Sequence, residues 1–314
     1  MFDIHGLPRI ETLRDLAAHT QFSSRRLWLR LFANSENYTT FRLPKKSGGY
    51  RHIAHPNGPL KAVQRWILKN ILDKLHTTTN CHGFVRGSKL RHHAEQHIGA
   101  NSILSLDIEN FFPSISVAQI TNVFRVAGYC SAAASMLARL CTYLGALPQG
   151  APSSPKLANL TCSRMDRRLA GFAAEREFVY TRYADDMSFS GASASALAKA
   201  KAFIAHIIKD SGFRLNPGKT RLAGPGRALK ITGLIVSSDG VGIGRQVLRK
   251  MRARIHQAHS GASNVGMGSI QGWLDFVSDV DPDRYRMLVE YIERLQASSV
   301  TSSLNALRIR HSAA

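Results

Sequence analysis

The hydrophobic positions in the first quarter of the chain follow helical spacing, with one extended segment between the helical patterns. Residues 10–20 and 23–34 predict two short helices. Residues 41–56 form two extended runs around a Ser-Gly-Gly turn, which predicts a hairpin. The next pattern predicts a helix over residues 60–75, because one apolar stripe holds Leu60, Val63, Ile67, Leu68, Ile71 and Leu75.

The middle of the chain alternates strand-like apolar runs with helical patterns. The run that begins at Asn101 is of strand type and ends at acidic residues. Residues 178–191 predict two strands joined at an Ala-Asp-Asp turn, and residues 229–244 predict another hairpin. Beyond Gly244 the patterns are helical, so the order predicts a mixed α/β region followed by an all-helical C-terminal unit.

Charge changes this picture more than the overall composition does. Lys and Arg number 42 against 21 acidic residues, which gives a formal net charge of +21. Such an excess disfavours a compact fold unless a polyanion offsets it, and nucleic acid is the polyanion that fits. Cations recur throughout the chain, at positions as far apart as Arg14 and Arg310, instead of lining one amphipathic helix, which argues against a membrane surface as the partner.

The N-terminal residues and the cysteines indicate an intracellular protein without a disulfide framework. The N-terminus is charged early and has no apolar core, so we expect a cytoplasmic location. The four cysteines are scattered, which predicts reduced thiols. Cys81 with His92, His93 and His97 meets no zinc-ligand spacing, and a polar or RNA-facing loop is the favoured interpretation there.

Three acidic residues stand in apolar strand contexts that strand propensity does not favour. Asp107 ends an apolar run, and Asp185 and Asp186 are adjacent at the tip of a predicted hairpin. Two like charges about 4 Å apart repel by about 4 kcal/mol at an effective dielectric of about 20. A divalent cation turns this repulsion into attraction, and oxygen ligands that share the ion with phosphate suit magnesium. The pattern predicts a magnesium site for in-line displacement, whereas the Asp-Asp pair alone would also fit a solvated turn.

Three motifs around these carboxylates resemble those of the reverse transcriptases, in the same order and over nearly the whole chain. Residues 106–112 resemble the first palm motif of the family, and residues 183–186 match its YxDD box. Residues 147–155 resemble the motif that lies under the template and the incoming nucleotide. The YxDD box alone is a weak signal, but the three motifs together are highly specific.

This resemblance implies a catalytic role for each carboxylate. Asp107 and Asp185 would ligate two Mg²⁺ ions, for which Mn²⁺ can substitute, with help from the backbone carbonyl of Ile108. Asp186 would support these ligands. Lys219 matches the position of a lysine that can protonate the departing pyrophosphate, and a solvated turn lysine is the alternative.

The resemblance also implies residues that bind the incoming nucleotide. Phe112 stands at the steric-gate position, where a bulky ring crowds the 2′-hydroxyl and selects deoxynucleotides, and a simple core phenylalanine is the alternative. Gln149 and Gly150 would pack beside the nucleotide and the template, the glycine because the backbone approaches the ligand closely. The predicted hairpin would grip the triphosphate through Lys45, Lys46 and Arg51.

A finer resemblance is to the bacterial retron reverse transcriptases. Residues 94–97 resemble the retron AxxH box with His93 in place of the preceding Asn, and residues 231–233 resemble the VTG box with Ile for Val. Downstream, cations crowd one helical segment without acidic partners four residues away, which favours an RNA backbone over a solvated face. The RNA-binding residues implied in this way are His97, Thr232, Arg245, Arg249, Lys250, Arg252 and Arg254.

The retron resemblance implies an enzyme that copies part of its own structured noncoding RNA with deoxynucleotides. Synthesis would start at a guanosine 2′-hydroxyl and give RNA-linked single-stranded DNA, termed msDNA. A separate effector protein and a role in antiphage defence are implied as well. The alternatives are a group II intron-like, diversity-generating or abortive-infection reverse transcriptase and a non-catalytic RNA-binding scaffold, although the intact acidic triad argues against a scaffold.

The same resemblance implies an α+β, right-hand polymerase fold. N-terminal helices and fingers would occupy residues 1–100. A palm of antiparallel sheet and helices would occupy residues 101–235, with inserted fingers helices at about 115–145, and a helical RNA-binding thumb would occupy residues 236–314. A helix-turn-helix regulator built on residues 11–34 is the remaining alternative, and it predicts that this fragment alone binds duplex DNA.

Overall fold

The computed structural model describes residues 6–32, 35–45, 48–261, 266–297, 304 and 307–309. The helices of eight or more residues, together with two shorter ones, are α1 (Leu13–Thr20), α2 (Ser24–Phe32), α3 (Gly58–Asn70), α4 (Leu90–Glu95), α5 (Phe111–Ser114), α6 (Val117–Val126), α7 (Ser131–Cys141), α8 (Ser154–Ala174), α9 (Ala194–Asp210), α10 (Gly244–His259), α11 (Met267–Val280) and α12 (Pro282–Ala297). The strands are β1 (Tyr38–Pro44), β2 (Tyr50–Pro56), β3 (Ser102–Asp107), β4 (Val179–Tyr183), β5 (Asp186–Gly191), β6 (Arg221–Ala223), β7 (Leu229–Ile231), β8 (Leu234–Ser237) and β9 (Gly240–Gly242).

The helix α3 begins where the pattern predicts it but ends earlier. Asn57 caps it by accepting a hydrogen bond from the Leu60 backbone N–H at 3.2 Å. At Ile71 the backbone turns to φ −119° and leaves helical geometry. The apolar stripe nevertheless stays buried, because Ile71 and Leu72 point into the core from a short 3₁₀ turn. The prediction of a helix over 60–75 is confirmed to Asn70 and wrong beyond it.

The strands of the described residues form three sheets. The hairpin predicted over 41–56 is confirmed, because β1 and β2 pair antiparallel with Tyr38 opposite Pro56. A four-stranded sheet has the order β4-β5-β3-β6, so strands distant in sequence become neighbours. In the third sheet, β7-β8-β9, the hairpin predicted within 229–244 is confirmed as β8–β9. The sheet has the additional strand β7 because Thr232 and Gly233 take positive φ angles of 45° and 90° and insert a second turn.

The described chain divides into two compact units. Unit 1 consists of Met1–Gly87, Ser105–Met187 and Lys199–Arg221, and unit 2 of Ser88–Leu104, Ser188–Ala198 and Leu222–Ala314. The core of unit 2 joins β7, β8 and the helices α10, α11 and α12, through Ile231, Leu234, Val236, Met251, Ile255, Ile270, Leu274, Val277, Leu288 and Ile292. The boundaries of fingers, palm and thumb stay predictions.

Membrane insertion through a helix finds no support in the described residues. No helix there combines the length and the apolar character that crossing a bilayer requires.

Candidate active site

Two backbone hydrogen bonds bring three chain segments together at the end of β3. Asp107 is the last residue of β3 and only 5% exposed. The N–H of Ile108 donates to the carbonyl of Asp185 at 3.0 Å, and the N–H of Asn216 donates to the carbonyl of Asp107 at 2.8 Å. We name the turn between β4 and β5, residues 183–186, the catalytic turn. The convergence of Asp107 with this turn is therefore built into the backbone.

At the carboxylates of the catalytic turn, burial and neighbouring negative charge outweigh the nearby positive charges. Burial, reinforced by the charge of Asp107, raises the pKa of Asp185. Asp186 keeps an exposed surface, but protein atoms around its carboxyl group exclude water. This desolvation, together with the charges of Asp185 and Asp107, raises the pKa of Asp186 to about 6. The site is therefore electrostatically suited to bind added positive charge.

Lys219 supplies one positive charge directly. Its Nζ donates a hydrogen bond to Asp107 Oδ2 at 2.8 Å, and this bond raises the pKa of Lys219. The lysine belongs to a short 3₁₀ turn, in which Asn216 Oδ1 accepts from the Gly218 N–H at 3.0 Å. With 52% of its side chain exposed, Lys219 carries a proton beside the carboxylates and can still reach a substrate.

The donor set of this site fits magnesium without forming a complete cage. Among the described residues, no three His, Cys, Asp or Glu side chains are arranged so that they alone would hold a metal ion. Mg²⁺ is usually held by one or two carboxylates together with substrate phosphates and water, and an all-protein cage is not required. Asp107, Asp185 and Asp186 offer oxygen donors, and burial together with their mutual repulsion raises the pKa of Asp185 and of Asp186. These residues therefore fit a hard divalent cation that a nucleotide shares.

A fully buried ion pair lies beneath the catalytic turn. Arg182 and Asp166 are both 0% exposed, and the guanidinium donates to the carboxylate from Nε at 2.8 Å and from Nη2 at 2.7 Å. Arg182 Nη1 donates to the carbonyl of Ala184 at 3.0 Å and to Asn159 Oδ1 at 3.2 Å. Tyr180 also donates its hydroxyl to Asp166, at 2.8 Å. The arginine therefore ties the turn to helix α8, which carries Asp166 and Asn159.

A neighbouring loop is fitted against the same turn. Asn159 Nδ2 donates to the carbonyl of Gly83 at 2.7 Å, and the N–H of His82 donates to the carbonyl of Arg182 at 2.8 Å. A Cβ atom at position 83 would lie 2.5 Å from the backbone nitrogen of Ala184, closer than atoms can approach. Ala184 has a φ of 56°, a left-handed conformation uncommon for residues other than glycine. The turn is thus held from two sides in a conformation that it would not favour alone.

Phe112 is half-buried at the edge of a cavity of about 320 Å³. Its ring contacts the ring of Phe111, with 5.4 Å between the centroids, and also lies near Phe84. The residues lining the cavity are His55, Lys61, Phe112, Gly150, Ala151, Pro152, Ser154 and Pro155. Phe112 therefore borders open space instead of filling a closed core.

Gly150 is required by the protein's own backbone. Its φ is 127°, and a Cβ there would lie 3.0 Å from both the Ala54 carbonyl oxygen and Ile53 Cγ2. The carbonyl of Gln149 accepts a hydrogen bond from the Ala54 N–H at 2.9 Å. Gly150 therefore approaches β2 closely, and the hydrogen bond to Gln149 attaches the 147–153 loop to the hairpin. Its expected approach to a nucleotide stays a prediction.

The basic hairpin residues lie at and near the β1–β2 turn. Lys45 is exposed, and its N–H donates to the carbonyl of Gly49 at 2.9 Å. Arg51 lies opposite Leu43 in the hairpin, and its charge opposes the rise in the pKa of Asp185 that burial causes. Lys46 lies outside the described residues. The positive charge of Arg51 thus acts on the carboxylate of Asp185.

The two retron-like boxes come together inside unit 2. Nδ1 of His97 lies 2.7 Å from Ser190 Oγ, and Nδ1 of His93 lies 3.5 Å from Thr232 Oγ1. The rings of His93 and His97 meet edge to face, with 6.1 Å between the centroids. His97 is 1% exposed, whereas Thr232 keeps part of its surface accessible. His97 is therefore enclosed by protein instead of presented at the surface.

The cations of α10 stand on the exposed side of that helix. Met251, Ile255 and Ala258 form its buried stripe. The exposed cations are Arg245, Arg249, Lys250, Arg252 and Arg254. Arg252 lies over the ring of Tyr291, 4.7 Å from its centroid, and both line a cavity of about 520 Å³. The predicted basic face is present, and Tyr291 belongs to it.

Sequence reasoning missed the residues that position the site. Arg182, Asp166 and Gly83 received no role, because each looks ordinary in a one-dimensional pattern. The available signal was the arginine inside an apolar strand, since buried arginine is rare unless it is paired.

Comparison with known proteins identifies a family to which this sequence is similar. The model of the reverse transcriptase (RNA-dependent DNA polymerase) family matches residues 43–236. Retron Ec86 reverse transcriptase of Escherichia coli is 40% identical over 302 residues, which cover 96% of this chain and 94% of the relative. Retron Mx65 reverse transcriptase of Myxococcus xanthus is 35% identical over 271 residues, which cover 80% of this chain and 63% of the relative.

A solved structure shares the fold at low sequence identity. Telomerase from Candida albicans, in complex with a TWJ fragment of telomeric RNA, superposes with a TM-score of 0.53 and 12% identity. The superposition covers 87% of this chain and 57% of the telomerase chain, so this chain spans less than two thirds of that protein. The likeness concerns the fold alone.

Proposed function

Because the chain belongs to the reverse transcriptase family and, within it, to the bacterial retron reverse transcriptases, we propose that Asp107, Asp185 and Asp186 carry out its polymerase reaction. The chain is an RNA-directed DNA polymerase with the α+β polymerase fold predicted from the sequence. Reverse transcriptases generally use divalent metal ions. We also propose the metal ions that the reaction uses, the residues that bind its substrates, its product and its partners.

The convergence of Asp107 with the catalytic turn and with Lys219 is the observation that carries this proposal. Asp107 and Asp185 would hold two Mg²⁺ ions with the carbonyl of Ile108, and Asp186 would support them. When bound, these ions lower the pKa of the attacking hydroxyl and stabilise the leaving oxygen. Lys219 holds a proton at Nζ, 2.8 Å from Asp107 Oδ2, and gives it to the departing pyrophosphate.

The incoming deoxynucleotide lies between the hairpin and the cavity beside Phe112. Lys45, Lys46 and Arg51 bind its phosphates, and Arg51 is favoured because its charge already reaches Asp185. Phe112 crowds the 2′ position of the sugar from the edge of the cavity. Gln149 and Gly150 hold the loop beside the nucleotide through their contacts with β2.

The RNA is gripped by the exposed cations of α10, namely Arg245, Arg249, Lys250, Arg252 and Arg254. Thr232 contacts the RNA from its partly accessible turn. Because His97 is buried beside Ser190, it acts on the RNA by shaping this surface from within.

The RNA bound in this way is the chain's own structured noncoding RNA, which serves as template and primer. Synthesis starts at a 2′-hydroxyl and yields RNA-linked single-stranded DNA. A separate effector protein and antiphage defence complete the proposal, and both rest on similarity to retron reverse transcriptases. The 40% identity over nearly the whole chain favours this function over that of a group II intron-like or diversity-generating enzyme.

Substitution of one catalytic carboxylate tests the metal assignment. Asp185→Asn keeps the shape of the side chain but removes its charge, so primer extension should fall to background while RNA affinity stays within about twofold of wild type. Equal extension by wild type and Asp185→Asn would refute the metal assignment, whereas no extension by wild type would favour a non-catalytic scaffold.

The linkage between product and template tests the retron-type product. The protein is purified with its co-bound nucleic acid, which is then denatured and separated by size. DNA that stays attached to RNA after denaturation, and is released by ribonuclease, is the expected result. DNA that separates on denaturation alone would contradict priming from an internal 2′-hydroxyl.

A further inference from the structure

Phe84 is an exposed aromatic residue held in an unfavourable backbone conformation. It is 45% exposed, and its φ is 58°. A bulky residue with positive φ is an outlier, and such strain persists only where surrounding structure enforces it. Both features are unusual for a residue that merely fills a surface.

The surrounding structure that enforces this conformation belongs to the catalytic turn. Gly83, the preceding residue, lies against the backbone nitrogen of Ala184 and accepts a hydrogen bond from Asn159. One residue earlier, His82 donates its backbone N–H to Arg182. The position of Phe84 is therefore fixed relative to the turn that carries the carboxylates.

The ring of Phe84 completes a group of three aromatic side chains beside these carboxylates. Its centroid lies 6.1 Å from that of Phe112 and 6.5 Å from that of Tyr183. These separations are within the range at which aromatic rings contact each other. Phe112 and Tyr183 are half-buried, so Phe84 offers the largest exposed face of the three.

We propose that Phe84 is a strand-contacting residue, whose ring supports the newly formed base pair between RNA template and DNA primer. The inference rests on the proposed function, because the carboxylates fix where the primer end must lie. A flat apolar face fits a nucleobase, and base–aromatic contacts tolerate any sequence, as a copying enzyme requires. Arg86, two residues further on, is exposed and adds positive charge for the phosphates of that strand.

The test replaces the ring while leaving the carboxylates intact. Phe84→Ala should weaken the affinity for an RNA-template, DNA-primer duplex about tenfold or more, since loss of one base–aromatic contact typically has an effect of this size. Phe84→Tyr keeps the ring and should restore affinity. The measurement is equilibrium binding of a labelled duplex, followed by single-nucleotide incorporation that separates kcat from KM for the next dNTP.

Leu144→Ala is the matched control. Leu144 is also an exposed apolar residue with positive φ, 73% exposed and with φ of 50°, and it belongs to the same unit. Its removal should change neither duplex affinity nor thermal unfolding. An equal loss of affinity in both variants would indicate a general effect of trimming strained surface residues and would overturn the proposal.

The outcomes separate this inference from the proposed function. If wild type extends the primer, Asp185→Asn does not, and Phe84→Ala binds the duplex as wild type does, Phe84 has no strand contact and the polymerase assignment stands. If Phe84→Ala loses affinity only in proportion to a lowered Tm and Phe84→Tyr does not restore it, the residue has a structural role and the proposal fails. If wild type does not extend the primer, the proposed function fails and the inference fails with it.

Discussion

Replacing Arg182 by methionine tests whether the buried ion pair beneath the catalytic turn stabilises the protein and orders that turn. Methionine retains much of the side-chain length but cannot donate a hydrogen bond. The substitution removes both bonds to Asp166 and the bond to the Ala184 carbonyl. Asp166 would keep hydrogen bonds from Thr78 and Tyr180 while remaining buried without a countercharge.

The expected loss in the free energy of unfolding follows from the burial of both partners of the ion pair. Arg182 and Asp166 are each 0% exposed, so water cannot compensate the charge that remains. Removing one partner of such a pair lowers the free energy of unfolding by about 3–5 kcal/mol. The total free energy of unfolding of a typical domain is only about 5–15 kcal/mol, so this loss is large. Replacing both partners, Arg182→Met with Asp166→Leu, should recover part of this loss because no buried charge then remains.

Urea unfolding followed by circular dichroism measures the free energy of unfolding, and single-nucleotide incorporation measures kcat. Arg182→Met should lower the urea midpoint, and kcat should fall even under conditions where the protein is folded. Arg176→Met is the control, because the ion pair of Arg176 with Glu175 is exposed, with side chains 45% and 76% accessible, and contributes at most about 1 kcal/mol. An Arg182→Met midpoint equal to that of the control would refute the reasoning.

The remaining predictions address the nucleotide, the turn and the RNA surface. Phe112→Ala should admit ribonucleotides, and the ratio of rNTP to dNTP incorporation measures this; an unchanged ratio would remove Phe112 from the gate. Gly83→Ala should lower kcat, because its Cβ would collide with the backbone of the catalytic turn at 2.5 Å, whereas Gly171→Ala, with no atom within 4 Å of its Cβ, should not. RNA affinity should fall steeply as the salt concentration rises, because bound cations displace counterions from the RNA. The double variant Arg249→Ala/Arg252→Ala should reduce the slope of log affinity against log salt by about 1–2. An unchanged slope would mean that the RNA binds elsewhere.

Local sequence patterns were sufficient to predict most helices and strands, because periodicity and turn chemistry act over a few residues. The β1–β2 hairpin and the two strands flanking Asp185 were predicted for this reason, as were the C-terminal helices. Local patterns failed where packing intervened, and α3 stops at Asn70 although its apolar stripe continues. Likewise, Thr232 enters a left-handed conformation, which local propensity alone disfavours for a threonine.

The sequence by itself identified the side chains that we propose to carry the chemistry. Asp107, Asp185 and Asp186 were identifiable because charge in an apolar strand is costly and requires a reason. The family was identifiable as well, since its motifs keep their order along the chain.

The tertiary structure decided what holds these side chains in place. The sequence did not indicate that Arg182 pairs with Asp166, that Gly150 packs against β2, or that His97 lies buried beside Ser190. Each of these contacts joins segments whose spacing along the chain carries no periodic signal. Their partners are set by burial and hydrogen bonding among distant segments, which exist only once the chain has folded.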